Sequence, residues 1–439
     1  MSTARTGAPP RPATPPAIIL GGQLNAVSVA RALAAAGVQV DAVGDAKSAV
    51  RRSRACRRFT DLGREGDVQA RWLEWLLHEG APGAVVLPCD DDGVELIARH
   101  RRALTGRGYV AFGAHDRVML DMLDKARTYE LARGLGISAP MTVTVKTAAD
   151  VERCASRFAY PCALKPVHSH HFQRRSGTGI KAIVVRDEAE LRERFSRLAP
   201  LGVELLVTEI IPGADDQLFG YHTYLDEHGE PLLHVTKRKL RQHPLGFGTG
   251  CYHITDSLPD LAELGLAFLQ GVGARGLANV EFKRDARDGA LKLIECNHRF
   301  TSTNEQIRVA GVDLALFTYN RLLGRPTPRV TALRPGVRFW YPMRDLRAGL
   351  ELRRAGRLSA RRWAWSVMHR QHLPVFRWSD PGPTLAQLER RLRRRLPPDA
   401  GADAAPAGVR APDGARPLAP ASPAPAPPAP EFVGAESHG

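Results

Sequence analysis

Residues 278–300, "ANVEFKRDARDGALKLIECNHRF", carry the strongest structural signal in this chain. Two runs of strand-forming residues flank Asp288-Gly289, a dipeptide that commonly forms the turn between antiparallel strands. The stretch therefore predicts a β-hairpin. A turn centred on these residues places Glu281 roughly opposite Glu295 on the paired strands.

The second strand of this hairpin contains both soft metal ligands and hard oxygen donors. Side chains alternate between the two faces of a strand. Glu295, Asn297 and Arg299 therefore share one face, while Cys296 and His298 point to the other. The alternation argues against a zinc site built from the Cys and His side chains.

The oxygens of Glu281, Glu295 and Asn297 form a set that suits a hard cation such as Mg²⁺ or Mn²⁺. A magnesium site of this kind usually needs phosphate oxygens to complete the coordination sphere. The alternative is a solvated hairpin face on which Glu and Arg side chains pair across the strands. The hairpin alone favours neither interpretation.

The composition is that of a globular protein, with 439 residues of which 44% are hydrophobic and 25% charged. No apolar run approaches the roughly 18 residues of a membrane span, so we expect no membrane partner. Residues 1–16 are Pro-rich and predict a flexible leader on a cytoplasmic protein rather than a signal peptide. Six scattered cysteines without CxxC spacing argue against a disulfide framework and a structural zinc site.

The net charge of +16 is concentrated near the C-terminus. Residues 347–395 contain 13 Arg and 3 acidic residues, which accounts for +10 of the total. We favour solvated helix faces in an Arg-biased chain over a nucleic-acid or other anion-binding patch. Only 9 of the 62 basic residues are Lys, so each lysine is a candidate for a role that needs a compact ammonium group.

Strands and helices alternate over residues 17–114 and predict an N-terminal parallel α/β domain. Gly21 lies in its first turn, and Asp41 follows twenty residues later, as in dinucleotide-binding proteins. The GxGxxG spacing is missing, so we favour a tight turn in an ordinary open sheet. The acidic turn 90–92 follows another strand and either meets a substrate amine or caps a helix.

The rest of the chain divides by composition and pattern. Residues 115–325 are expected to form two α+β subdomains, over about 115–210 and 211–325. A basic segment follows at 326–395, and the Ala- and Pro-rich tail 396–439 is expected to be disordered.

Two lysines in the first subdomain are placed where a polyphosphate can bind. Lys165 ends an apolar strand, and Lys181 opens the next strand after the polar loop 167–179. Adjacent strands joined by a flexible loop bring both ammonium groups to one ligand.

Three histidines lie in the same loop, at His168, His170 and His171. Such a cluster can bind a metal. We favour a solvated, mobile loop instead.

The order of these signals resembles the ATP-grasp superfamily over residues 17 to about 325. The helix predicted over 116–136 and the following "ISAP" are similar to the start of that fold. "YPCALKP" and "GIKAIVV" are similar to its two lysine strands, and "LLVTEIIPGADD" to its hinge strand. The hairpin matches its paired metal strands, with the pattern Glu-x-Asn-x-Arg. The loop between the lysines and "KRKLRQHPLGFGTG" resemble a D-aspartate ligase-like subgroup.

The resemblance implies an N-terminal parallel α/β domain and two α+β subdomains that clamp ATP. It implies ATP and Mg²⁺ (or Mn²⁺) as cofactors, with two metal ions. The residues implied to contact ATP are Lys125, Lys165 and Lys181 at the phosphates, Glu209 and the backbone near Ile211 at adenine, and Asp215 or Asp216 at the ribose. Those implied to bind metal are Glu281, Asn297 and Glu295, which bridges the two ions.

The resemblance also assigns cationic residues to the reacting groups. Arg299 is implied to stabilise the transferred phosphoryl group or the acyl-phosphate. The basic cluster 237–241 faces the substrate carboxylate or the γ-phosphate, or else is a solvated strand end. Its members are Lys237, Arg238, Lys239 and Arg241.

The implied reaction is activation of a carboxylate by ATP, followed by attack of an amine on the acyl-phosphate and release of ADP and phosphate. The partners are then a small-molecule carboxylate and a small-molecule amine, and a homodimer is compatible with this reaction. Two alternatives remain. One is an ATP-grasp carboxylase or carbamoyl-phosphate-type enzyme that uses carboxyphosphate, and the other is a non-catalytic nucleotide or nucleic-acid binder that uses the basic segment.

Overall fold

The computed structural model describes residues 14–113, 115–330 and 333–393. Most of the predicted leader and the whole predicted tail lie outside the described residues. The described chain forms three β-sheets, and helices pack against each of them. No helix within these ranges is both long and apolar enough to cross a bilayer.

The first sheet is parallel, with the strand order β3-β2-β1-β4-β5. Its strands are β1 (Ala17–Leu20), β2 (Val40–Gly44), β3 (Arg58–Asp61), β4 (Val85–Pro88) and β5 (Val110–Ala111), and its helices are α1 (Leu24–Ala35), α2 (Val68–His78) and α3 (Asp91–Gly106). The predicted parallel α/β architecture is confirmed. The strand order changes direction between β1 and β4, which is where open sheets of this kind bind ligands, beyond the carboxyl ends of the strands.

The glycine turn after β1 lies very close to the acidic turn 90–92. Gly21 has a φ of 63°, and a Cβ atom added there would lie 1.8 Å from Oδ2 of Asp90. Asp41 is buried and accepts a hydrogen bond of 2.7 Å from Arg57. The turn after β1 is therefore a tight turn that packs against the acidic turn, and the carboxylate of Asp41 forms an ion pair with Arg57.

The second sheet is antiparallel, with the order β6-β9-β7-β8. Its strands are β6 (Thr142–Val145), β7 (Cys162–Pro166), β8 (Ile183–Val185) and β9 (Leu205–Glu209), and its helices are α6 (Ala148–Cys154), α7 (Ser169–Ser176) and α8 (Glu188–Leu198). The predicted α+β character is confirmed. Lys165 lies in β7, and Lys181 precedes β8, the strand that pairs with β7.

The predicted histidine loop is wrong, because α7 forms at this place. The helix buries Phe172 and His170 and ends at Gly177, whose φ of 66° is the left-handed conformation of a helix cap. His170 contacts Glu95 of α3, so a partner far away in sequence stabilises this polar helix. Lys181 lies two residues before β8 and does not open that strand.

The single helix predicted over 116–136 is also wrong. The chain forms α4 (Asp116–Leu123) and α5 (Lys125–Gly134) with a break at Asp124. The carboxylate of Asp124 accepts a hydrogen bond of 3.0 Å from the backbone amide of Arg127 and so caps α5. The break places Lys125 at the first position of a new helix.

The third sheet has seven strands in the order β14-β13-β10-β11-β12-β15-β16. Its strands are β10 (Leu218–Leu225), β11 (Pro231–His243), β12 (Thr249–Thr255), β13 (Gly276–Arg284), β14 (Leu291–Asn297), β15 (Arg338–Trp340) and β16 (Gln371–His372). The remaining helices are α9 (Pro259–Gly271), α10 (Asn304–Ala310), α11 (Leu314–Leu322), α12 (Pro342–Arg354), α13 (Ala360–Val367) and α14 (Gly382–Arg393). The basic segment thus extends this sheet through β15 and β16.

Two of the three sheets share one apolar core. Tyr224 of β10 and Tyr319 of α11 belong to the same buried cluster as the strands of the parallel sheet. The second sheet has its own buried cluster, which includes Val145, Leu164 and Phe195. Polar contacts also join this second sheet and its helices to the rest of the structure, such as the pair of Arg174 with Asp92.

Candidate active site

The hairpin of β13 and β14, here called the carboxylate hairpin, pairs the two carboxylates as the sequence predicts, with a one-residue register shift between Glu281 and Phe282. In the pairing of β13 with β14, Glu281 lies opposite Glu295 and Asn279 opposite Asn297. Cys296 is buried in the apolar core on the other face, as the alternation requires. Two carboxylates and the Asn297 amide therefore share the face that is turned away from this core.

Glu281 is held ionised by nearby lysines. Its Oε1 lies 3.7 Å from Nζ of Lys237, which is buried on β11. Burial raises the pKa of the Glu281 carboxyl, but the charges of Lys237, Lys239 and Lys181 outweigh it and lower the pKa to about 2. The site therefore presents an anionic oxygen donor at neutral pH.

Arg299 connects the hairpin to the parallel sheet. Its Nε donates a hydrogen bond of 2.5 Å to Oδ1 of Asp91 in the first turn of α3. Burial raises the pKa of the Asp91 carboxyl, but Arg299 and His170 lower it, and the resulting pKa is about 2. Arg299 lies beyond the end of β14, with its guanidinium beside this carboxylate.

The three acidic residues after β4 have separate partners. Asp90 is the cap of α3, since Oδ1 accepts from the amide of Gly93 at 2.9 Å and Oδ2 from the amide of Gly22 at 3.0 Å. Burial and the charge of Asp92 raise the pKa of Asp90 to about 7. Asp92 pairs with Arg174 of α7. The capping interpretation therefore holds for Asp90, and the other two bind arginines.

The lysines approach the hairpin from two elements. Lys125 at the start of α5 donates a hydrogen bond of 2.8 Å to Oγ of Ser169. The same helix is fixed to the hairpin, because the hydroxyl of Tyr129 donates to the carbonyl of Ile294 at 2.8 Å. Lys125 and Glu295 line one small cavity together with Asp91.

Lys165 lies close to other lysine ammonium groups. Burial and the charge of Lys125 lower the pKa of its ammonium to about 8, although Glu295 raises it. Its Nζ lies 5.3 Å from the ring centroid of Phe247, in the loop between β11 and β12. Lys181 is exposed, and its charge acts on Glu281. An anionic ligand would relieve the repulsion among these ammonium groups.

The predicted adenine-binding segment lies at the end of β9. Glu209 accepts a hydrogen bond of 3.1 Å from the amide of Met141 and pairs with Arg287. Ile211 is buried, and its carbonyl accepts a hydrogen bond of 2.7 Å from Nζ of Lys283. The segment thus offers backbone groups beside a lysine that the sequence analysis did not select.

The two predicted ribose ligands differ in their surroundings. Asp215 is buried and accepts from Nε2 of Gln242 at 2.8 Å and from the amide of Gly246 at 3.2 Å. Asp216 is partly exposed and accepts a hydrogen bond of 3.3 Å from Gln217. Asp215 therefore holds the loop after β11 in place, and Asp216 is the more accessible carboxylate.

The basic cluster 237–241 is divided by strand alternation and by a register irregularity of β11 between Lys239 and Arg241. Lys237 and Lys239 lie on the side of Glu281, and both charges act on its carboxylate. Arg238 points the other way, and its Nε lies 3.7 Å from Asp256. Arg241 is buried and bonds both oxygens of Asp345 at 2.6 and 2.9 Å. The structure therefore brings the two lysines to the site and keeps both arginines away from it.

Sequence reasoning missed the pairing of Asp91 and the position of Lys283. The acidic turn after β4 was a signal for Asp91, but its partner Arg299 lies 208 positions away. Lys283 stands two residues after Glu281 on β13, so its side chain lies on the same face of the strand as the Glu281 carboxylate. This alternation is a signal by which the sequence could have identified it.

The donor set fits a hard divalent cation. Glu281 and Glu295 supply carboxylate oxygens and Asn297 an amide oxygen, which are the ligand types that Mg²⁺ prefers. The Cys296 thiol lies in the apolar core on the other face of β14, and His298 is buried one residue beyond the end of this strand. The surrounding ammonium groups match the charge of a phosphate that would share such an ion.

Comparison with known proteins gives both sequence relatives and structural neighbours. No family model matches the chain. It is 26% identical to D-aspartate ligase of Enterococcus faecium over 261 residues, which cover 56% of this chain and 61% of that protein. It is 26% identical to D-alanine–D-alanine ligase of Stutzerimonas stutzeri over 216 residues, covering 44% and 61%. The chain thus spans less than two thirds of the length of these curated relatives.

Solved structures show the same fold at lower identity. The biotin carboxylase domain of 2-oxoglutarate carboxylase from Hydrogenobacter thermophilus, solved with MgADP and bicarbonate, matches with a TM-score of 0.57 at 19% identity, covering 73% of each chain. L-amino acid ligase from Bacillus licheniformis matches with a TM-score of 0.54 at 16% identity, covering 71% of this chain and 75% of that one. The chain therefore has the ATP-grasp fold of these solved structures, and its sequence is similar to the two ligases.

Proposed function

We propose that this protein is an ATP-dependent ligase that activates a carboxylate as an acyl-phosphate and joins it to an amine, with release of ADP and phosphate. The observation that supports it most is the arrangement around the hairpin. The oxygen donors Glu281 and Glu295 face lysines from other elements, and Arg299 stands at the end of the same strand. This is a site for a polyphosphate and a hard cation.

In this proposal Lys125, Lys165 and Lys181 bind the phosphates of ATP. Glu281, Glu295 and Asn297 would hold Mg²⁺ (or Mn²⁺), and two ions are expected. When bound, the metal offsets negative charge on the phosphoryl oxygens and orients them. 

Further residues are assigned to the nucleotide base and sugar. The backbone near Ile211 and the carboxylate of Glu209 are proposed at the adenine. Asp216 is the proposed ribose ligand, since Asp215 already accepts hydrogen bonds from Gln242 and Gly246.

The cationic groups nearest the carboxylates are assigned to the acyl substrate. Arg299 is proposed to stabilise the phosphoryl group during its transfer, and Asp91 positions that guanidinium. Lys237 and Lys239 are proposed to meet the substrate carboxylate or the γ-phosphate. Arg238 and Arg241 do not take this role, because their side chains form ion pairs with Asp256 and Asp345.

Amino acids are the proposed substrate class, because the two ligases named above are relatives whose names specify amino acids. Small molecules are therefore the expected partners. A cytoplasmic location and a homodimer stay predictions, as does the expectation that nucleic acid is not a partner.

The test is release of ADP by the full-length protein with ATP, Mg²⁺ and pooled amino acids or small carboxylates. We expect release that needs both an acyl substrate and an amine and that does not need bicarbonate. Glu295→Ala should abolish it, whereas Glu263→Ala, on the exposed side of α9, should not. Full activity in Glu295→Ala refutes the site, and a strict need for bicarbonate supports the carboxylase alternative instead.

A further inference from the structure

Two imidazoles and one carboxylate meet between α3 of the parallel sheet and α7 of the second sheet. Nε2 of His170 lies 2.9 Å from Oε2 of Glu95, and Nε2 of His171 lies 3.1 Å from the same oxygen. The three ligand atoms all lie within 4.8 Å of one another. None of these residues has a role in the proposed ATP reaction.

The convergence of both rings on one oxygen is specific. Neighbouring residues on a helix point about 100° apart, so His170 and His171 reach a common atom only because Glu95 lies between their directions. Their ring centroids are 4.2 Å apart. The side chains of His170 and Glu95 are each only 7% exposed, and that of His171 is 34% exposed. The cluster is therefore buried on one side and open on the other.

The carboxylate is held in place by further donors. Nε2 of Gln69 donates to Oε2 of Glu95 at 2.6 Å, and Nε of Arg99 donates to Oε1 at 2.9 Å. Gln69 and Arg99 thus orient the Glu95 carboxylate from outside the cluster, as the partners of a metal ligand do.

We propose that Glu95, His170 and His171 form a binding site for Zn²⁺. Two imidazole nitrogens and one carboxylate oxygen are donors that zinc takes, with bonds of about 2.0–2.2 Å. Ligand atoms 2.9 and 3.1 Å apart fit two bonds of that length to one ion. Imidazole donors favour zinc over Mg²⁺, so this site is chemically distinct from the oxygen set on the hairpin.

A fourth donor is available close by. The ring of His168 lies 5.0 Å from that of His171, centroid to centroid. His168 or a water molecule completes a four-coordinate ion.

Zinc at this position would join two parts of the molecule. Glu95 belongs to the parallel α/β unit, whereas α7 belongs to the second sheet, which has a separate apolar core. Arg174 of the same helix already pairs with Asp92 of α3. A bound ion therefore strengthens the link between these two parts, and it stabilises the folded protein by mass action.

The proposal is tested on the full-length protein after removal of metals with a chelator. The protein is given Zn²⁺ at equimolar concentration in excess Mg²⁺, desalted and analysed for metal by mass spectrometry, and its melting temperature is measured. We expect one zinc per chain and a higher melting temperature with zinc. His171→Ala, at the exposed side of the cluster, should weaken zinc binding by about tenfold or more.

Two controls separate this site from others. His78→Ala removes an exposed imidazole on α2, and Glu295→Gln alters the proposed magnesium site, so both should retain zinc as the wild type does. Circular dichroism of each variant establishes that it is folded. Absence of zinc in the desalted wild type, or wild-type zinc content in a folded His170→Ala/His171→Ala variant, overturns the proposal.

Discussion

The guanidinium of Arg299 and the carboxylate of Asp91 form a direct link between the carboxylate hairpin and the parallel sheet. The Nε–Oδ1 distance is 2.5 Å, although the residues are 208 positions apart. Arg299 follows β14, whereas Asp91 lies in the first turn of α3, beyond the carboxyl end of β4. Asp91, which belongs to the parallel sheet unit, therefore holds the Arg299 guanidinium of the proposed phosphoryl site in place.

Asp91→Asn should lower kcat by about 100-fold with a smaller change in KM for ATP, because a displaced Arg299 no longer meets the reacting group. Steady-state kinetics of ADP release measure this. Asp91→Glu keeps the charge and should recover part of the loss. Asp116→Asn breaks a different Asp–Arg pair, with Arg101, and should leave kcat unchanged. An equal loss in both Asn variants would show that Asp91 has no specific role.

Nucleotide affinity should decrease as the pH rises through about 8. Burial and Lys125 lower the pKa of Lys165 to about 8, so the free protein loses this positive charge at a pH where an ordinary lysine keeps it. Phosphate favours the charged form, and binding above pH 8 should therefore take up a proton. Calorimetric titration with ATP in two buffers of different ionisation enthalpy measures the uptake.

The same shift predicts how stability depends on pH. Between about pH 8 and the ordinary lysine pKa, the unfolded chain binds the Lys165 proton and the folded chain does not. Stability from this group is therefore gained as the pH rises through that window. Lys165→Met should remove both effects. Unchanged proton uptake in Lys165→Met would assign it to another group.

The parts of the site that depend on local pattern were predictable from the sequence. The facing of Glu281 and Glu295 was predicted from a turn near Asp288, and the observed pairing agrees. It also depends on a one-residue register shift between Glu281 and Phe282, which the sequence pattern does not predict. The surroundings of α7 were not predictable in this way. A run of polar residues forms a helix there because Glu95, more than seventy positions away, pairs with its histidines. The sequence pattern likewise predicted Arg241 as a site residue. Its partner Asp345 is distant in sequence, so the pattern could not show that the arginine is already paired.

Glu281→Gln should separate two roles of one carboxylate. Lys237, whose side chain is only 6% exposed, would lose its ionised neighbour, and the free energy of unfolding should fall by about 1–3 kcal/mol. The concentration of Mg²⁺ needed for half-maximal ADP release should rise at least about tenfold. Urea denaturation and a magnesium titration measure the two effects.

The double variant Glu281→Gln/Lys237→Met provides the control for stability. It removes the buried unpaired ammonium and should restore much of the unfolding free energy, while ADP release stays low. If activity returned together with stability, the carboxylate would be structural rather than a metal ligand.

Arg241→Met tests whether the buried arginine of β11 acts on substrate or on the fold. The side chains of Arg241 and Asp345 are 8% and 0% exposed, so removal of the arginine leaves a buried carboxylate without its main partner. The cost should be about 3–5 kcal/mol of unfolding free energy. Arg241→Met/Asp345→Asn should recover part of it, because asparagine still accepts hydrogen bonds from the indoles of Trp340 and Trp363. Both variants, assayed where they are folded, should keep the wild-type kcat, and a large loss of kcat at unchanged stability would return Arg241 to the catalytic site.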